Sequence, residues 1–375
     1  MALNGNPVNI RVADGRIANV WTSPLNHVPG EINLDFEDAI VFPGLINSHD
    51  HLDFNLFPSL GDRTYDNYTE WGHHIHKTYR EKIDRVMKVP VALREQWGIY
   101  KNLLNGVTTV VNHGKKIKKN VYPITVHENC QCIHSVRFDK RWWVSLNNPL
   151  KRNVPVAIHT GEGIDEASVN EIDRLISRNR LKRDIIGIHG VAMNAEQAKA
   201  MKALVWCPES NYFLLDKTAG VSRLKKNVPI LFGTDSTLTG SWNIWEHIRR
   251  ARVTNELTDN ELFDTLTINP ANAWKLTSGK LSQGRDADIV IAKEKKDAPA
   301  ADSFFSLNPE DILMVIHKGQ VVLFDESLYP RLKSIDLDNY SRVHLKGVCK
   351  YVLGNLPQLM HRIREYYHEA AFPVI

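Results

Sequence analysis

Two histidines with one residue between them, His49 and His51, close the apolar run AIVFPGLI in the stretch GLINSHDHLDF. Along an extended chain the side chains alternate faces, so both imidazoles point to one side and can grip one ion. Alone, the pair is also what a strand reaching solvent would show. Four further apolar runs end in a comparable residue: NGVTTVVNH at His113, VPVAIHTGEG at His159, DIIGIHG at His189 and VPILFGTDS at Asp235. Polar strand ends of no special purpose would mix Ser, Asn, Asp and Gly. Three imidazoles and a carboxylate instead suit a divalent transition metal, with a position left over for water. His49, His51, His159 and Asp235 are the expected set. Water on such an ion has its pKa lowered from about 15.7 to about 7, and Asp235 can accept the proton. Glu162, three residues past His159, can lean over the same cavity and carry a proton to a ring nitrogen or a leaving amine. A carboxylate there would also suit a helix N-terminus.

Strand ends converge on one face when short β-branched runs alternate with amphipathic helices such as EASVNEIDRLISRN and NAEQAKAMKAL. That alternation means a parallel sheet with helices outside, and at this length a (β/α)8 barrel, whose strand C-termini all open on one side. The expected fold is α/β: a distorted TIM-type barrel over 43–277, with a small β-sandwich domain built from residues 1–42 and 278–330. Both flanks of the barrel, VNIRVADGRIANVW early and ILMVIHKGQVVLFDE late, read as short alternating strands. Residues 331–375 are expected as a C-terminal helical extension, on the pattern RIREYYHEAAF. One stretch fits badly. Strands 3 and 4 and their helices must share the residues between His113 and His159, where only CIHSVRF and WWVSL read as strands and no full helix stands beside either. A compressed barrel, short of a helix on that side, is the expectation.

Bulk properties exclude several classes. The net charge of +4 over 375 residues is too slight for a nucleic-acid surface, and no basic helix or aromatic-basic face supplies one. No apolar run approaches the ~20 residues of a membrane helix, and no charged-then-apolar leader opens the chain. Four cysteines argue against a disulfide framework and for a reducing cytoplasm. Cys130-Gln-Cys132 lacks the second thiol pair a structural metal site needs. No GxGxxG or GxxxxGK[ST] loop follows a strand, which removes the main nucleotide-binding alternatives.

The ordered set PGLINSHDH, GVTTVVNH, HTGEG, HG, CPESN, GTDS and the late NPANAWKL…GKLSQGRDADIVI resembles the amidohydrolase superfamily, in its single-metal branch of cytosine-, guanine- and adenosine-type deaminases and triazine hydrolases. The resemblance spans nearly the whole chain. It implies one zinc or iron ion on His49, His51, His159 and Asp235, with Glu162 as proton shuttle and His189 facing the substrate beside the metal. Superfamily members with two metals bridge them with a carboxylated lysine after strand 4. Only Lys140 stands near that place, and the HxxE pattern of strand 5 goes with one ion.

Weaker candidates for substrate contact are His113, Trp71 with Phe54 and Phe57 as a cover for a flat ring, and Glu209 and Asn211 of CPESN. The lid histidines His73, His74 and His76 read as surface, and HGKKIKKN as a solvated loop. The expected reaction is hydrolytic deamination of a nucleobase-, pterin- or triazine-like ring. Cyclic amide hydrolysis or a dechlorinating-type hydrolysis is the nearest alternative, and a catalytically silent scaffold the distant one. The expected partners are the heterocyclic substrate and water, with no nucleic acid and no membrane; a homo-oligomer is left open.

Overall fold

The computed structural model describes residues 6–23, 31–117, 122–295, 299–332 and 335–375. Strands β1 (Asn9–Ala13) and β2 (Arg16–Trp21) form a hairpin. Strands β3 (Ala39–Pro43) and β4 (Leu45–Asp50) flank Gly44, where the chain passes from one part of the fold to the other. β3 joins an antiparallel sheet. β4 opens a parallel series that continues through β5 (Val107–Asn112), β6 (Thr125–His127), β7 (Gln131–Ser135), β8 (Val156–Thr160), β9 (Ile185–His189), β10 (Ala203–Trp206) and β11 (Ile230–Phe232). β4, β5, β8, β9, β10 and β11 are buried along their whole length. They therefore read as continuous apolar runs rather than alternating ones.

The parallel strands form two arcs, β4-β5-β6 and β7-β8-β9-β10-β11. Backbone N–H groups of Thr234 and Asp235, just past β11, donate to the His49 carbonyl (3.1 and 3.0 Å) and close one seam. The other seam is the compressed region. Only Glu128–Cys130 separate β6 from β7, and three residues cannot hold the crossover helix that parallel neighbours ordinarily need. β6 hydrogen-bonds to β5 alone and β7 to β8 alone. The Cys132 thiol on β7 lies 3.5 Å from the Asn112 carbonyl at the end of β5. WWVSL, expected as a strand, is instead a short helix, Trp142–Leu146. Its Trp142 and Leu146, four apart, are buried while Trp143 and Val144 are exposed, a helical and not a period-two pattern.

Strands β12 (Ile289–Lys293), β13 (Ile312–His317), β14 (Gln320–Asp325), β15 (Tyr340–Leu345) and β16 (Val348–Leu353) complete the antiparallel sheet, in the order β15-β16-β14-β13-β12-β3. Ile10, Ile17 and Val20 of the hairpin pack on Val41, Ile289, Ile291 and Ile316 of this sheet, giving two apposed layers. The expectation that 331–375 is helical needs correction. Its first half adds β15 and β16 to the sheet, and among its described residues only Leu356–Tyr366 is an α-helix. Among the described residues no helix is long and apolar enough to cross a membrane.

Candidate metal centre and active site

The β4–β5 ladder shifts register between Asn47 and Asp50. Asn47 and Asp50 both turn toward the helix Val91–Leu104 (bonds to Asn102), while His49 and His51 remain over the barrel mouth. There the imidazoles of four strand ends meet. Ring centroids of His49 lie 4.9 Å from His51, 5.0 Å from His159, 5.2 Å from His113 and 5.7 Å from His189. Asp235 Oδ1 is 3.6 Å from both His49 Nε2 and His51 Nε2. Its other oxygen accepts from the Ser210 and Thr239 hydroxyls (2.9 and 3.1 Å). Burial alone would raise the Asp235 carboxyl, but contact with His49 and the charge of His51 hold it well below the usual range.

The donor set fits a metal. His159 Nε2 and His49 Nε2 face each other at 3.3 Å in a buried setting. Two ring nitrogens so placed repel unless a proton or a cation lies between them. Burial, reinforced by the neighbouring imidazoles, lowers His51 and drives His113 and His159 well below the ordinary histidine value. Neutral rings with free lone pairs are what a metal requires. His49, His51 and His159 each present a nitrogen within 4.8 Å of the others, and so do the donor atoms of His49, His189 and Asp235.

Around this cluster stand the proton-carrying groups. His189 Nδ1 donates to the Asn211 carboxamide oxygen (2.8 Å), which leaves Nε2 as a lone pair 3.5 Å from Glu162 Oε2. Burial lowers His189 to about 4, so the ring is neutral. Glu162 is raised well above an ordinary glutamate by burial first, then by Asp235 and Glu171. Its protonated form is thereby favoured, beside the neutral His189 ring. The backbone at His189 (φ 72°) and Asp235 (φ 57°) is left-handed, a conformation that costs about 1–3 kcal/mol in a non-glycine residue and gathers at functional sites. The HTGEG turn carrying Glu162 is held from both sides. Glu171 Oε1 accepts from Gly161 N–H (2.8 Å), and the lid's Tyr68 N–H donates to the Glu162 carbonyl (3.1 Å).

The weaker candidates separate. His113 joins the cluster: its ring stacks on His159 at 4.5 Å, and both its nitrogens are buried without a partner. Trp71 anchors the lid by donating its indole N–H to the Leu60 carbonyl (2.7 Å). Phe54 stacks on His51 at 5.5 Å. Asn211, expected to read the substrate, is wholly buried, and its carboxamide oxygen accepts from His189 Nδ1. Glu209 lies apart from the imidazoles. Its Oε1 accepts from Ser241 N–H (2.8 Å), and it lines a cavity of about 450 Å³ with Tyr212, Asp216, Arg250 and Thr239, the last of which also bonds Asp235. Among the lid histidines, His74 pairs with Asp62 at 3.1 Å. Lys115 and Lys116 are exposed, and Lys118 and Lys119 lie outside the described residues.

Two features went unread in the sequence. His134 on β7 stands exposed at the mouth, its ring perpendicular to His159 at 4.9 Å. Its place in CIHSVRF, at the end of an apolar run, was the available signal. Behind β4, Asp50 forms a buried ion pair with Lys101 at 3.1 Å.

Comparison with known proteins follows the same lines. The sequence model of the amidohydrolase family matches residues 146–322. A 5'-deoxyadenosine deaminase of Methanococcus vannielii is 23% identical over 78% of this chain and 84% of its own length. A 5-methylthioadenosine/S-adenosylhomocysteine deaminase of Pyrococcus furiosus is 22% identical over 89% of this chain and 95% of its own. In fold, a zinc-bound adenosine deaminase from Xanthomonas campestris superposes with a TM-score of 0.65 at 16% identity, covering 96% of this chain and 93% of that one. Atrazine chlorohydrolase from Arthrobacter aurescens, complexed with zinc, gives 0.68 at 16% identity over 96% and 94%. Sequence likeness along most of the chain and a shared fold along nearly all of it make this chain similar to members of the amidohydrolase family.

Proposed function

We propose that the protein is a single-metal aminohydrolase that deaminates an amino-substituted heterocycle and releases ammonia. The observation that carries this reading is one buried cluster of converging imidazoles, with the Asp235 carboxyl held well below and the Glu162 carboxyl well above the ordinary range. His49, His51, His159 and Asp235 would hold one divalent ion, zinc or iron. Such an ion, when bound, supplies Lewis acidity that makes water a nucleophile at neutral pH.

The chain's own groups provide the rest. Asp235, fixed by Ser210 and Thr239, accepts a proton from the attacking water. Glu162 delivers a proton to the ring nitrogen next to the reacting carbon, since that ring must lose aromaticity before the amine departs. His189, with its tautomer set by Asn211, presents Nε2 toward the reacting oxygen as an acceptor. The departing amine takes up a further proton and leaves as ammonia, and the ring keeps the oxygen. Names of the relatives support a purine-nucleoside-like substrate, since both curated relatives cited above are deaminases of adenosine derivatives.

A screen of 5'-modified adenosines, amino-purines, amino-pyrimidines, pterins and triazines, read by ammonia release and product mass, tests the reaction. The expected product has the amine replaced by oxygen. Substrates that only gain a whole water, with no ammonia, would overturn deamination in favour of cyclic amide hydrolysis. Elemental analysis should find one zinc or iron per chain, falling to a small fraction in His159→Ala; two ions per chain would refute the single-metal assignment.

A further inference from the structure

Behind the imidazoles, on the other side of β4, lies a polar cluster that touches no reacting group. Asp50 sits between His49 and His51 in sequence and is completely buried, as is Asn47, while Lys101, Asn102 and Thr234 are 1% exposed. All of Lys101's ammonium bonds go to three neighbours: Asp50 Oδ2 (3.1 Å), Asn55 Oδ1 (2.8 Å) and Thr234 Oγ1 (3.4 Å). Asp50 also accepts from Asn102 Nδ2 (2.7 Å) and Asn55 Nδ2 (2.7 Å). Asn47 Nδ2 donates to Thr234 Oγ1 (2.8 Å), and Asn47 Oδ1 receives the Thr234 N–H (3.1 Å). The helix carrying Lys101 approaches closely because it has Gly98 there. A Cβ at that position would stand 2.3 Å from the Leu52 carbonyl oxygen.

We infer that Asp50, Lys101, Asn47 and Thr234 are positioning residues that fix the distance between the His49/His51 pair and Asp235, and so set the affinity and geometry of the metal site. Three observations carry the inference. The cluster ties the strand bearing two of the candidate ligands to the residue immediately before the fourth. Its links add side-chain bonds from Asn47 and Lys101 to Thr234 across the seam where backbone bonds among the described residues run to the His49 carbonyl. A buried ion pair is seldom a gain over apolar packing, so its presence calls for a role beyond cohesion. The inference rests on the assignment of His49, His51, His159 and Asp235 as ligands.

The test measures metal affinity by chelator competition, and the visible spectrum of the Co²⁺-loaded protein, in Thr234→Val, Lys101→Met and the neutral pair Asp50→Asn/Lys101→Met. Thr234→Val keeps the β-branched shape and leaves no buried charge unpaired, so it folds even if Lys101→Met does not. Expected is a loss of affinity of about 10–100-fold, the range typical of groups that orient ligands, with a shifted Co²⁺ spectrum. Wild-type affinity and spectrum in Thr234→Val or in the neutral pair would overturn the inference, whatever happens to melting temperature. His159→Ala separates the two levels. If it still binds metal normally, the ligand assignment falls and takes the inference with it. If it loses metal while the rear variants do not, only the inference falls.

Discussion

The two sides of β4 carry polar clusters of similar size and opposite character. On the cavity side His113 and His159 have buried nitrogens without partners, and two imidazoles face each other at 3.3 Å. On the rear, Asp50 and Lys101 are as deeply buried, yet both ends of the pair are surrounded by hydrogen-bonding partners. Burying a polar group without a partner costs about 1–3 kcal/mol, so a folded chain tolerates a concentration of such groups only where something else satisfies them. The front cluster is thus incomplete by itself, and Nε2 of His159 and of His49 face each other within it. The rear cluster is complete and neutral, and it asks for nothing from outside. Burial is common to both; satisfaction is what distinguishes a ligand site from a scaffold.

The sharpest way to separate the two sides is Glu162→Gln. It preserves shape and leaves every candidate metal ligand in place, but removes the titrating carboxyl beside His189. Turnover should fall about 10²–10⁴-fold, the usual contribution of a general acid–base group, while metal content stays at the wild-type level. Near-normal turnover would remove Glu162 from the chemistry and leave His189 as the proton carrier. On the rear side the expected signature is reversed, with stability moving first. Lys101→Met strands the Asp50 carboxylate in the barrel wall and should cost about 3–5 kcal/mol, whereas the neutral Asp50→Asn/Lys101→Met pair should recover much of that loss. Equal destabilisation in the single and the double variant, by thermal or denaturant unfolding, would mean that cavity and packing effects dominate and that the ion pair contributes little.

The front side was legible in the sequence because its signals are local: apolar runs of strand length, each ending in a residue with a lone pair or charge, with HxH at period two. The rear side was not. Lys101 lies 51 residues from Asp50. In WGIYKNLL it reads as an ordinary exposed helical lysine, and only the apolar neighbours on its own face hint at burial. The compressed wall defeated the reading for a related reason. Two half-strands of three and five residues are too short for a periodic signal, and a one-turn helix such as Trp142–Leu146 shows no capping residue. The β15–β16 hairpin, by contrast, was legible and overlooked. Alternating YSRVHL and VCKYVL flank Lys346-Gly347, both with positive φ (47° and 82°), the two-residue turn that suits a twisted hairpin.

A smaller effect tests where the front side ends. Glu171 supports the HTGEG turn through Gly161 N–H and lies 3.2 Å from Arg137 Nε, so it is partnered like the rear cluster. Yet burial outweighs those partners and raises its carboxyl to about 7. A carboxyl raised on folding binds its proton more tightly in the native state. Its favourable contribution is therefore fully present below the unfolded value near 4.5 and is lost as pH rises toward about 7. Glu171→Gln mimics the protonated form and does not titrate, so it isolates this one group from all others. The variant should match the wild type near pH 4 and be the more stable of the two near pH 8, by about 1–3 kcal/mol, or a few degrees in melting temperature. Parallel melting curves across that range would show that Arg137, Gly161 and Tyr68 keep Glu171 ionised. The carboxyl would then belong with the satisfied groups, and Glu162 would stand beside a fixed negative charge that helps keep it protonated.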